Sequence, residues 1–179
     1  MTRIKQVTKD EAKGEVKIIY QDIEKKMGMI PNIFQNMGNS PVALKAFLNL
    51  NEAAGQTSLS PKIREQLALI VAQTNNCNYC LSAHTLIGKM VGLPDQELLL
   101  ARQGEAKDPK TQAILKFAQN VVKNKAQVTN QDVSALKAAG VTDGELVDIV
   151  FVIIVNMFTN YFNLVTDPTI DFPLAPKLN

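Results

Sequence analysis

Apolar residues recur along this chain at intervals of three and four, and almost nowhere at intervals of two. That is the period of helices rather than strands. From Glu11 to Met27 they fall at Val16, Ile19, Tyr20, Ile23 and Met27, with lysine and glutamate between them, and Gly28 is placed to end the segment. A short helix is predicted to begin near Pro31 and close at Gly38. Ser40-Pro41 restarts the chain into a helix with Val42, Leu44, Phe47, Leu48 and Leu50 as its apolar residues, ending by Gly55. Ser60-Pro61 is a cap and first-turn pair for a helix to about Thr74, striped by Ile63, Leu67, Ile70 and Val71. The next helix continues through Leu86, Ile87, Met90 and Val91 to Gly92. Others are predicted from Pro94-Asp95 through Leu100, from Lys110 to Lys125, and from Thr129 or Asn130 through Leu136.

The last helix starts near Thr142, where Thr142-x-x-Glu145 is a capping box, and runs towards Phe162. Val150 to Val155 is β-branched, but its length and apolar flanks favour a buried helix over a strand. The run 146–162 is apolar on nearly all sides, so it is expected to be either the central core helix or part of a subunit interface in a homo-oligomer. Asp148, Asn156 and Asn160 argue against a membrane span. The sum is an all-α bundle of about eight helices in a single domain, 1–179. Residues 1–10 read as a loose leader and 167–179, rich in proline, as an extended tail.

Composition narrows the function classes. A chain of 179 residues, 46% hydrophobic and 20% charged, matches an ordinary soluble domain with a core. A net charge of +2, from 19 basic and 17 acidic residues, points to neither nucleic acid nor an acidic membrane surface. The basic residues form no stripe, and arginine occurs only at positions 3, 64 and 102. Met1 to Glu11 has no apolar core and no cleavage-like site, so a cytoplasmic address without a signal peptide is the expectation.

The chemistry is concentrated in Cys77-Asn78-Tyr79-Cys80-Leu81-Ser82-Ala83-His84, which holds both cysteines and the one histidine. On a helix, Cys77 and Cys80 share a face, with His84 one turn beyond. Two thiols so spaced close a disulfide with little movement. A helix start favours the thiolate, and His84 is placed to exchange a proton with Cys80. Asn75, Asn76 and Asn78 are the expected cap residues. Four readings compete: a redox dithiol, a metal site of two thiolates and an imidazole with Glu65 as a fourth ligand, a single cysteine nucleophile, and plain core filling. A close pair in a reducing compartment is a cycling dithiol or a metal pair before it is a permanent staple. No second cysteine pair or histidine exists to complete a zinc set, so spacing favours the dithiol, with no metal or other cofactor. Glu65, read alone, belongs on a solvated face with Lys62 and Arg64 more readily than in a buried relay. Tyr79 is either a surface or interface aromatic or a hydrogen-bonding contact for substrate or relay. Asn156 and Asn160 mark a buried network or an interface, with no catalytic role assigned.

Glu65, the twelve-residue step to Cys77, the Cys77-x-x-Cys80-x-x-x-His84 motif, and the stretch 160–163 followed by Asp171-Phe172-Pro173 carry a resemblance. Over residues 15–173 the chain resembles the alkylhydroperoxidase AhpD-like family of the carboxymuconolactone decarboxylase superfamily, in its peroxidase-related branch. The resemblance implies an all-helical fold, oligomers (dimers, trimers or hexamers), and thiol-dependent reduction of organic hydroperoxides. It implies Cys80 as the peroxidatic thiol, Cys77 as the resolving one, and Glu65 with His84 as a proton relay. It also implies an external dithiol, lipoylated or thioredoxin-like, as reductant. Well-known members carry a histidine where this chain has Tyr79. Two other functions stay open: a disulfide oxidoreductase without significant peroxidase activity, and a non-enzymatic metal-binding or redox-responsive module.

Overall fold

The computed structural model describes residues 2–178. Among them the chain forms α1 (Gly14–Met27), α2 (Asn32–Met37), α3 (Pro41–Gly55), α4 (Pro61–Thr74), α5 (Asn78–Met90), α6 (Asp95–Gln103), α7 (Pro109–Lys123), α8 (Asn130–Ala138) and α9 (Asp143–Thr166). The fold is all-α, and its nine helices among the described residues, one more than the approximate sum of eight, each fall on a segment expected to be helical.

Caps explain most boundaries. Ser40, Ser60, Asp108, Thr129 and Thr142 each accept a hydrogen bond from the backbone N–H three residues on, and α3, α4 and α7 carry proline in the first turn. Thr129–Asp132 and Thr142–Glu145 are reciprocal capping boxes. Each such cap contributes about 1 kcal/mol. Three expected boundaries are corrected. α1 starts at Gly14 rather than Glu11, because Gly14 takes a left-handed φ of 54° at the helix entrance. α6 extends past Leu100 to Gln103 and stops where Gly104 turns left-handed. α9 extends past Phe162 to Thr166, because Asn163 and Thr166 still face the interior.

α4 is the central helix. Gln66 through Ala72 are all buried, and α4 packs against α5, α6, α7 and α9. Each fully buried leucine or isoleucine there contributes about 1.5–3 kcal/mol of transfer free energy. Gly88 lets α5 approach α6, since a Cβ at that position would stand 2.5 Å from Leu98. The two ends of the chain are fastened to this body. The leader is not helical, but it is tied: Arg3 N donates to the Thr166 carbonyl at 2.8 Å, and Val7 N donates to that of Gln35 at 2.9 Å. The tail is extended and strapped across three helices. Asp171 Oδ2 accepts from Asn32 N at 2.7 Å, Ser82 Oγ accepts from Ala175 N at 3.2 Å, and Arg102 donates to the Pro176 carbonyl at 2.6 Å.

α9 is long and apolar enough to cross a membrane by length and composition. Its inner side, Ile149, Val152, Ile153 and Asn156, is buried in the core instead. Its outer side leaves Val147, Val150, Ile154, Phe158, Tyr161 and Val165 exposed, at steps of three and four.

Candidate functional site: a dithiol beside a glutamate–histidine pair

The site grows out of the turn between α4 and α5. Asn75 closes α4, Asn76 takes a left-handed φ of 57°, and Cys77 begins the next helix. Asparagine tolerates that backbone because its short polar side chain bonds locally. The expected asparagine cap is corrected here. Cys77 Sγ itself accepts from Cys80 N at 3.3 Å, while Asn75 donates to Asn160 Oδ1 on α9 at 3.0 Å.

The turn folds α5 back along α4 and brings Glu65 to His84. The Glu65 carboxylate accepts from His84 Nδ1 at 2.8 Å, and both side chains are largely buried. The solvated position read for Glu65 is thereby corrected: it lies between two packed helices. A carboxylate on Nδ1 holds the proton there and leaves Nε2 as the basic nitrogen.

Cys77 and Cys80 form a disulfide, with their Cα atoms 5.3 Å apart. They are only 1% and 2% exposed, so neither sulfur lies open on the surface. Cys80, and not Cys77, lines a cleft of about 320 Å³ walled by residues of α2, α3, α4, α5, α9 and the tail. Glu65 and His84 line the same cavity, and its walls include Ile33, Phe34, Phe47, Ile87, Val152 and Phe172. The lining therefore combines these reactive groups with a largely apolar wall and a few polar side chains, Arg64 and Asn51 among them.

Tyr79 is buried in the cavity wall, which removes the surface reading. Its ring meets Phe172 edge-on at 5.5 Å, and its hydroxyl accepts from Ile33 N at 3.2 Å. Burial, with the Asp171 carboxylate adding to it, holds this phenol well above its ordinary pKa, so it stays neutral. The hydroxyl is committed to α2, and among the described residues it has no hydrogen bond to His84 or a cysteine.

Asn163 completes the site and was missed as a site residue from sequence. Its Nδ2 donates to Cys80 Sγ at 3.4 Å, its Oδ1 is buried without a partner, and the residue lines the cavity. The available signal was the row Asn156, Asn160, Asn163, polar residues at helical spacing on one side of an apolar helix. Asn156 also lines the cavity and donates to its own helix at the Val152 carbonyl, 2.9 Å away. The zinc-type set is not assembled: both thiols are in the disulfide, and among the described residues no three His, Cys, Asp or Glu side chains are grouped to hold a metal.

Residues 41–120, which carry Glu65 and the whole cysteine–histidine motif, match the model of the carboxymuconolactone decarboxylase family. A crystal structure of an uncharacterized peroxidase-related protein from Silicibacter sp. TM1040 is 25% identical, with a TM-score of 0.81 over 94% of each chain. Residues 41–120 thus resemble the carboxymuconolactone decarboxylase family. The chain's AhpD-like fold recurs in an uncharacterized peroxidase-related protein with an AhpD core from Ralstonia eutropha JMP134. That protein is 22% identical, with a TM-score of 0.83 over 95% of this chain and 92% of that one. The fold recurs again in the debrominase Bmp8, 19% identical, with a TM-score of 0.81 over 96% of this chain and 93% of that one. No curated protein matches the chain in sequence. In this AhpD-like scaffold the family match covers α3 to α6 and most of α7, while α9 and the tail add Asn163 and Phe172 to the cavity.

Proposed function

We propose that this chain is a thiol-dependent peroxidase that reduces small organic hydroperoxides by a dithiol–disulfide cycle. The observation that carries the reading is Cys80, bonded to Cys77, lining an apolar cavity beside the Glu65–His84 pair. In the reduced protein, His84 takes the Cys80 proton, with Glu65 holding its other nitrogen. The Asn163 amide N–H stabilises the thiolate, and the unpartnered Oδ1 accepts the peroxide O–H. The thiolate attacks the distal peroxide oxygen, the O–O bond breaks, and the alkoxide leaves as an alcohol with the proton from His84. Cys80 is then a sulfenic acid. Cys77 sulfur attacks it, water leaves, and the disulfide forms. The two electrons gained by the peroxide come from the two thiols. An external dithiol restores them by exchange and becomes a disulfide itself.

The burial of both sulfurs favours this reading over a protein disulfide oxidoreductase. Exchange with a folded partner needs a sulfur that a second protein surface can meet, and here access runs through the cavity. The exposed apolar face of α9 supports a homo-oligomer as part of the proposal, with that face covered by another subunit. A cytoplasmic setting, where thiols are kept reduced, suits the cycle. The test is turnover of cumene hydroperoxide with dithiothreitol or dihydrolipoamide. Wild type consumes peroxide, whereas the Cys80→Ser protein does so no faster than buffer. Equal slow rates in the two proteins would remove the proposal.

A further inference from the structure

The cavity also carries a positive charge for which the peroxidase cycle has no use. Arg64 and Glu65 are the charged residues of its lining beside His84, and Glu65 is committed to His84. Arg64 is not so committed. It donates from Nη1 to the Leu59 carbonyl at 2.5 Å, a contact that fixes the side chain without neutralising it. Among the described residues it enters none of the nine ion pairs. The other two arginines are provided for. Arg3 faces Asp167 at 3.9 Å, and Arg102 donates to Gln73 and to the Pro176 carbonyl. A guanidinium has five N–H donors in a fixed fork that matches a carboxylate, so Arg64 keeps donors to spare.

Position adds to charge. Arg64 comes to the cavity from α4 together with Asn51 and Gly55 near the end of α3, while Cys80 and Asn163 come from α5 and α9. Apolar side chains, Phe34 and Phe47 among them, line the same space. A neutral hydroperoxide would use the apolar wall and the reactive group and leave the guanidinium unmatched. A hydroperoxide with an apolar body and an anionic group would use all three. We infer that Arg64 is an anion-binding subsite, and that the substrates this cavity selects are amphiphilic hydroperoxides bearing a carboxylate. The carboxylate lies on Arg64, the apolar body on the aromatic wall, and the peroxide on Cys80. The identity of the reacting group rests on the peroxidase reading above; the anion subsite rests on the cavity itself.

The experiment therefore measures binding without turnover. Octanoate and 1-octanol share an apolar chain and differ in charge, and neither is a peroxide. Their affinities for the disulfide form are measured by calorimetry in wild type, Arg64→Gln and Arg64→Lys. Octanoate is expected to bind wild type more tightly than octanol by about tenfold or more, the scale of a charge-assisted hydrogen bond in a partly buried site. Arg64→Gln is expected to collapse that ratio towards one, and Arg64→Lys to retain most of it. Loss of the Leu59 contact alone would weaken both ligands together and leave the ratio unchanged. Wild type binding octanol as tightly as octanoate, or an Arg64→Gln ratio equal to that of wild type, overturns the inference. Neither outcome depends on whether the protein reduces peroxides, so a failed turnover assay and a failed subsite are told apart.

Discussion

The two faces of α9 reverse the usual arrangement of a surface helix. The inner face buries Asn156, Asn160 and Asn163, three amides among isoleucine and valine. The outer face exposes Val147, Ile154, Phe158 and Val165. A helix on the surface of a monomer normally has the opposite polarity. Burying an amide costs about 1–3 kcal/mol when its hydrogen bonds are incomplete, and both Asn160 Nδ2 and Asn163 Oδ1 lack partners here. Asn163 meets Cys80 and, with Asn156, lines the cavity, while Asn160 accepts from Asn75 at the turn before Cys77. The exposed valines and phenylalanine fit a face covered by another subunit. Under the proposed function, the inner face serves the chemistry and the outer face an assembly.

The largest expected effect breaks the inner side at its centre. Cys80→Ser is expected to lower hydroperoxide turnover by about a thousandfold or more, since the attacking sulfur is gone. Loss under tenfold, measured by alcohol release, would mean that the cavity does its chemistry elsewhere. Asn163→Leu keeps the size and removes the amide. Turnover is expected to fall about tenfold to a hundredfold, and the pH at which the Cys80 thiolate absorbance appears is expected to rise. A purely structural role would lower the unfolding temperature and leave that titration where it was.

Much of this arrangement was legible before any coordinates, and the exceptions have physical causes. The caps at Ser60 and Thr142 are local signals, read within four residues, and each stands where the sequence places it; of the two candidates Thr129 and Asn130, Thr129 is the cap. The cysteine–histidine cluster is local too. Read alone, Glu65 goes to a solvated face, because amphipathic reading assumes that one side of a helix meets water; only the family resemblance pairs it with His84. α4 is buried nearly all round, so its apparently polar side meets α5 instead. Asn163 lies 83 residues from Cys80 along the chain, and no local spacing reveals such a contact. The Cys77 cap was missed because a sulfur there does the work usually given to oxygen.

The outer face is tested by Ile154→Glu. A charge in the middle of the apolar stripe is expected to split the assembly and bring the solution mass down towards the 19.7 kDa of one chain. Turnover per chain is expected to change by less than about twofold, because Ile154 does not line the cavity. An unchanged mass, measured by light scattering, would assign assembly to another face.

The smallest effect is at the start of α9. The Lys110 ammonium, with the Thr142 N–H, lowers the Glu145 pKa below its ordinary 4.5. A lowered carboxyl stabilises the fold above the unfolded value, and the contribution is lost as pH falls through the folded one. Glu145→Ala is expected to cost about 1 kcal/mol near neutral pH, discounted for exposure, and progressively less below pH 4.5. Denaturant unfolding at two pH values reads both effects. A difference that grows on acidification would contradict the assignment.

The central claim is that the two thiols of one chain reduce one peroxide. It is tested most directly by a single-turnover titration: the reduced protein, freed of external thiol, is given cumene hydroperoxide under anaerobic conditions. Alcohol formed and thiols lost are counted together. The account predicts one alcohol per chain, loss of both thiols, and a Cys77–Cys80 disulfide as the product. Thiols that persist after the peroxide is added, or alcohol formed while both thiols survive, would contradict it.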